Sequence, residues 1–169
     1  MVERPSGRDE TESDRLDRNL GELLQELRVA LPGVQVLFAF LLTVPFQQGF
    51  TRITHFQEKI YFVCLLLTAI SACLLISPTA YHRMTFRKQQ KRHLVFLANR
   101  FAIAGLACLA LAMTGVVVLV TDVLFGAAAT AVVGSISFAM FVLLWFALPI
   151  HRRLVPEDPE ARPGSLDSR

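Results

Sequence analysis

Three side chains in this apolar chain are of a type and placement that could do chemistry: Gln35, Glu58 and Asp122. A carboxylate partway across a membrane is the usual proton-binding device of an ion exchanger, because a bare charge in hydrocarbon is costly and the group must be able to take up a proton. Glu58, His55 just before it and Asp122 in the outer turn could form a weak outer proton-accepting cluster. Both carboxylates stand at the outer ends of apolar runs, where water solvates them. Gln35 lies inside a run, where its amide either hydrogen-bonds to another helix or contacts a substrate. The break Pro45-Phe46-Gln47-Gln48-Gly49 can expose carbonyls to a cation, or it can simply stop a helix. His82, His93 and His151 fall in separate segments with no zinc-ligand spacing. There is no glycine-rich phosphate loop and no nucleophile elbow. The expectation is a protein without a catalytic, metal or cofactor site, and not an enzyme.

The elements that must position these residues are four apolar runs, with spans expected over about 29–46, 60–77, 101–120 and 126–150. A helix of about 20 apolar residues crosses the hydrocarbon core. The second run reaches that length when Lys59, and His82 or Arg83, snorkel to the interfaces. The first is the weakest, with Gln35 inside it and prolines at both ends. With 53% hydrophobic residues and a mean hydropathy of +0.47, the runs lack the polar stripe that a soluble bundle needs. The fold class expected is an all-α four-helix transmembrane bundle led by an amphipathic helix. Cys64, Cys73 and Cys108 all lie inside apolar runs and read as small packing residues.

Orientation follows from lysine and arginine near the spans. The connection between the second and third runs holds Arg83, Arg87, Lys88, Lys91, Arg92 and Arg100. The turn between the third and fourth, 121–125, holds none, and the first connection holds only Arg52 and Lys59. Arg152 and Arg153 follow the last run. An even number of spans puts both termini and the basic loop on one side, which is expected to be cytoplasmic. The first thirty residues lack the apolar core of a signal peptide, so the spans direct insertion.

Residues 1–18 and 154–169 are polar and read as disordered tails around a membrane domain of 19–153. Leu20, Leu23, Leu24, Leu27 and Leu31 recur at helical spacing, with Glu22, Gln25, Glu26 and Arg28 on the other face. Asn19 suits a helix cap, with Glu22 placed for a capping box. This amphipathic helix is expected to pack on the bundle, with the interface plane as the other resting place. Pro32 and Gly33 would turn the chain into the first span. In the basic loop, Arg83, Arg87, Lys88, Lys91 and Arg92 alternate with apolar residues and suit anionic phospholipid headgroups, each contributing about 1 kcal/mol.

In lipid, helices associate through close backbone approach rather than hydrophobic force. The fourth run carries the small-residue rows Gly126, Thr130, Gly134 and Ala127, Ala131, Ser135, Ala139, and the third carries Ala104, Cys108, Ala112. The short turn between them implies an antiparallel hairpin meeting through these rows.

The stretch Glu22-Leu-Leu-Gln-Glu-Leu-Arg-Val-Ala-Leu-Pro-Gly-Val-Gln-Val-Leu-Phe-Ala-Phe-Leu-Leu-Thr-Val-Pro-Phe46, with Ser77-Pro-Thr-Ala-Tyr-His-Arg83, resembles a family of small actinobacterial four-span membrane proteins of unknown function. The resemblance covers about residues 18–153. It implies four spans in a bacterial cell membrane, and some members carry a sodium:proton antiporter label. Three function classes follow. The first is a structural, interaction or accessory membrane subunit. The second is an ion transporter, antiporter-like, that oligomerises so that Gln35 lines a path. The third is a lipid-responsive regulator using Glu22–Glu26 and the basic loop. The expected partners are the bilayer, anionic headgroups, and a second copy or another membrane protein, with no nucleic acid.

Overall fold

A computed structural model describes residues 12–85 and 91–147. Side chains at 81–95 lie outside the described set, as do most of those before Gly21. Four helices make up the described chain: α1 (Glu12–Thr43), α2 (His55–Thr85), α3 (Lys91–Phe125) and α4 (Ala127–Val142). Each is long and apolar enough to cross a membrane, over Gly21–Phe46, His55–Ala80, Phe96–Phe125 and Ala127–Ala147. A π turn, Leu143–Ala147, continues α4. Two short 3₁₀ turns, Val44–Phe46 and Gln48–Arg52, link α1 to α2.

The first helix departs from expectation. No turn forms at Pro32–Gly33; α1 runs unbroken from the amphipathic segment into the span, with Pro32 inside it. Pro32 and Gly33 are both exposed, and the core contacts of Leu27 and Val34 on either side hold the helix together. The helix also starts at Glu12, ahead of Asn19. Asn19 is therefore interior to the helix rather than a cap, and Glu22 pairs with Arg18 one turn back at 4.0 Å. Leu27 enters the core beside Val34, Leu75 and Leu109, with Leu23 and Leu31 packed around them. The amphipathic segment thus packs on the bundle.

The helix α3 packs on all three others, and its largest contact is with α2, which also packs on α1. The buried residues of α2 are Gln57, Tyr61, Cys64, Thr68, Ser71, Leu75 and Pro78. The steps between them alternate four and three, the 3.5-residue repeat of a left-handed coiled-coil seam. On α1 the buried residues Leu27, Val34 and Leu41 recur every seven, and on α3 so do Ala98, Gly105 and Ala112. Antiparallel register of α2 and α3 is fixed by three pairs down their length. Gln57 meets Asp122, Cys64 lies beside Gly115, and Ser71 meets Gly105.

Glycine sets the closeness of that contact. A Cβ on Gly105 would lie 2.8 Å from Leu75 Cδ2, and one on Gly115 would collide with Cys64 Sγ. By contrast α4 touches only α3 along its length. Trp145, in the π turn, reaches back to the Leu27–Val34–Leu75–Leu109 cluster, and Phe141 meets it edge-on with ring centroids 5.3 Å apart.

Candidate functional site

The polar groups gather at the end of the bundle opposite the α2–α3 loop. Thr54-His-Phe-Gln57 is a reciprocal capping box at the start of α2. Gln57 N donates to Thr54 Oγ1 at 3.3 Å, and Thr54 N donates to Gln57 Oε1 at 3.0 Å. The cap leaves the other half of the Gln57 amide free to reach α3. Its Nε2 donates to Asp122 Oδ2 at 2.9 Å. Asp122 in turn faces α4, where Thr130 Oγ1 lies 3.5 Å from Oδ1 and donates more closely to Gly126 O, at 2.8 Å. The Asp122 carboxylate thereby ties the beginning of α2 to the end of α3 and lies against the first turn of α4.

A second tie joins α1 to α2. Pro45 has no N–H, so the helical partner of the Leu41 carbonyl is missing. Tyr61 takes its place and donates its hydroxyl proton to Leu41 O at 2.9 Å. Phe50, from the second 3₁₀ turn, covers the Tyr61 ring edge-on at 5.2 Å. The break at Pro45–Gly49 therefore does not leave the Leu41 carbonyl open to a cation. Further in, Ser71 Oγ donates across to Gly105 O at 2.8 Å. Thr68, Thr114 and Thr121 return their protons to the carbonyl one turn back on their own helices. Among the described residues, every buried side-chain N or O has a partner.

Glu58 and Asp122 are not brought together. Glu58 is exposed and pairs with His55 Nδ1 at 3.3 Å on its own helix. Gln35 is exposed on α1, and none of the side-chain hydrogen bonds given above involves it. No group of three or more His, Cys, Asp or Glu among the described residues could hold a metal ion.

The small-residue rows part company. Thr130 and Gly134 are buried, and a Cβ on Gly134 would lie 2.7 Å from Val118 Cγ2 of α3. Gly126 does not belong to that packed row. It occupies the turn before α4 at φ 80°, a conformation that favours glycine, with no atom within 4 Å of where a Cβ would sit. On α3, Ala112 is buried, Cys108 half-buried and Ala104 exposed. The second α4 row, Ala127, Ala131, Ser135 and Ala139, is exposed throughout.

Of the basic-loop residues, Arg87 and Lys88 lie outside the described residues. Arg83 is in the last turn of α2, while Lys91 and Arg92 open α3. Just beyond them, the Arg100 guanidinium stacks 5.7 Å from the centre of the exposed Phe96 ring.

An apolar groove of about 380 Å³ runs between α2 and α3, lined by Val63, Leu67, Leu111, Gly115 and Val118, with Lys59 at the capping-box end. Its shape and lining suit hydrocarbon.

Gln57 and Tyr61 are the tying residues that a search for charged or catalytic types passes over. The signal for Gln57 is the Thr-x-x-Gln capping box. That for Tyr61 is the proline, which announces an unpaired carbonyl without saying what will fill it.

No curated protein and no solved structure matches the chain. A family model does, over residues 9–149. With most of its length and all four apolar helices inside that match, the chain belongs to DUF6328, a family of unknown function.

Proposed function

We propose that this membrane protein is an interaction or accessory subunit of a membrane assembly. One observation carries the reading: α4 is held to the bundle along a single seam with α3 and leaves its small-residue row, Ala127, Ala131, Ser135 and Ala139, facing outward. Small residues on a lipid-facing surface let another helix approach closely, which is what drives association in hydrocarbon. Of the buried polar groups, Gln57, Tyr61 and Ser71 bond from one helix to another, while Thr68, Thr121 and Thr130 bond the carbonyl one turn back.

The test is a photo-reactive side chain at Ser135 of the full-length protein in its native membrane. A discrete protein adduct is expected, lost when Ala131 and Ala139 are both changed to leucine. Labelling of lipid alone would overturn the reading.

The sodium:proton antiporter label carried by some members of the actinobacterial family that the chain resembles is the second reading. It needs a proton-binding group at depth, and Glu58 and Asp122 both stand at helix ends, Asp122 already engaged by Gln57. Purified protein in liposomes is expected to give no sodium-driven pH change above empty vesicles. Exchange that Asp122→Asn or Glu58→Gln abolishes would establish transport instead.

A further inference from the structure

Gln35 is a full primary amide on the outer surface of a membrane-spanning helix. On α1 the last charged side chain before it is Arg28 and the next polar one near the far end is Thr43. At about 1.5 Å per residue, Gln35 lies about 10 Å from Arg28 and about 12 Å from Thr43. That depth is beyond the reach of its short side chain to either interface. An amide left in hydrocarbon without a partner is strongly disfavoured.

Hydroxyls in this bundle escape that problem by bonding the carbonyl one turn back, as Thr68, Thr114 and Thr121 do. Gln35 makes no such bond. Among its neighbours along the helix, Pro32, Ala39 and Leu42 are also exposed and Leu31 and Phe38 are half-buried, and none of the described residues bonds its amide. Leu27, Val34 and Leu41 of the same helix are meanwhile buried against the bundle. The packed and unpacked sides of α1 are thus distinct, and the amide is on the unpacked side.

We infer that Gln35 pairs with Gln35 of a second copy of this chain, joining two α1 helices across a twofold axis normal to the membrane. The occupant follows from chemistry and symmetry. A primary amide both donates and accepts, so it is complementary to itself. All copies insert in the same sense, so a twofold along the membrane normal brings like residue to like residue at equal depth. Ala39, one turn along the same face, and Pro32, with no long side chain, let the two helices approach. This inference uses a different helix from the α4 reading and is unaffected if that reading fails.

The experiment uses the full-length protein reconstituted in liposomes over a range of protein-to-lipid ratios, with donor- and acceptor-labelled copies. Wild type is expected to show energy transfer that falls on dilution with lipid. Gln35→Leu should weaken association about tenfold or more, and Gln35→Asn, which keeps the amide, should retain most of it. Leu66→Ile, at an exposed position on α2, should leave it unchanged. In a cysteine-free background, Ala39→Cys should form a disulfide-linked dimer, and Phe40→Cys, exposed on another side of α1, should not. A monomer at every ratio would mean that a different membrane protein or lipid covers Gln35, and would overturn the inference. So would energy transfer equal in wild type and Gln35→Leu, or cross-linking that favours Phe40→Cys.

Discussion

At the scale of single residues, one missing donor explains a side chain at the other end of a loop. Pro45 strips the Leu41 carbonyl of its helical partner, and the Tyr61 hydroxyl supplies a replacement 2.9 Å away. Tyr61→Phe keeps the ring against Phe50 and removes only that bond. It is expected to lower stability in detergent by about 1 kcal/mol, within the range measured for polar contacts between membrane helices. The loss should shrink when Pro45→Ala restores an N–H to the carbonyl, and a thermal double-mutant cycle measures that coupling. A fully additive cycle would show that the hydroxyl does not compensate for the proline. Gly134 poses a simpler steric test, since its Cβ position already crowds Val118. Gly134→Leu should part α4 from α3 and lower the melting temperature, an overpacking cost of about 1–3 kcal/mol. Leu143→Ile, which preserves size at an exposed site, serves as the control.

At the scale of elements, α1 shows a helix overriding a local stop signal. A proline in a helix interior costs about 3 kcal/mol through a lost hydrogen bond and a clash with the preceding turn. The helix nevertheless continues past Pro32, because Leu27 on one side and Val34 on the other are both locked in the same core. Pro32→Ala should therefore raise the melting temperature and leave the span intact. A turn required at this position would give the opposite result, with the variant losing stability or membrane insertion. The coiled-coil spacing on α2 belongs to this scale as well. Its seam is filled by Gln57, Cys64, Ser71 and Pro78 alternating with Tyr61, Thr68 and Leu75. Small and weakly polar groups at a seam permit the close α2–α3 approach that Gly105 and Gly115 complete from the other side.

For the whole molecule, the four helices alternate in direction, so the α2–α3 loop lies at one end and the Gln57–Asp122 tie at the other. The positive residues around that loop lead us to propose that its end is cytoplasmic, together with both termini. Alkaline phosphatase fused after Arg153 should be inactive, and a fluorescent protein there should fluoresce. Fusions after Asp122 should give the reverse. Phosphatase activity at the Arg153 junction would invert the proposed orientation.

The sequence by itself determined that there are four membrane-length helices, whereas the turn expected over 121–125 is the end of α3 and the break falls at Gly126. It could do so because bilayer thickness demands a minimum apolar length and because breakers such as Pro45 and Gly126 mark the gaps. The capping box expected at Asn19–Glu22 lies inside α1 instead, and the one that forms is Thr54–Gln57 at the start of α2. What only the tertiary structure decided is which face of each helix meets which. Hydrocarbon accepts an apolar residue equally well whether it points into the bundle or out of it, so hydrophobic periodicity loses its power to sort inside from outside. Residues spaced four apart therefore looked alike on α4, yet Thr130 and Gly134 are buried while Ala127, Ala131 and Ser135 are exposed. Gln57 and Gln35 share one side-chain chemistry; the first is buried and bonded between helices and the second stands on the surface. The capping box marks Gln57 as a helix-start residue but says nothing of Asp122, because that bond depends on a neighbouring helix bringing an acceptor within reach.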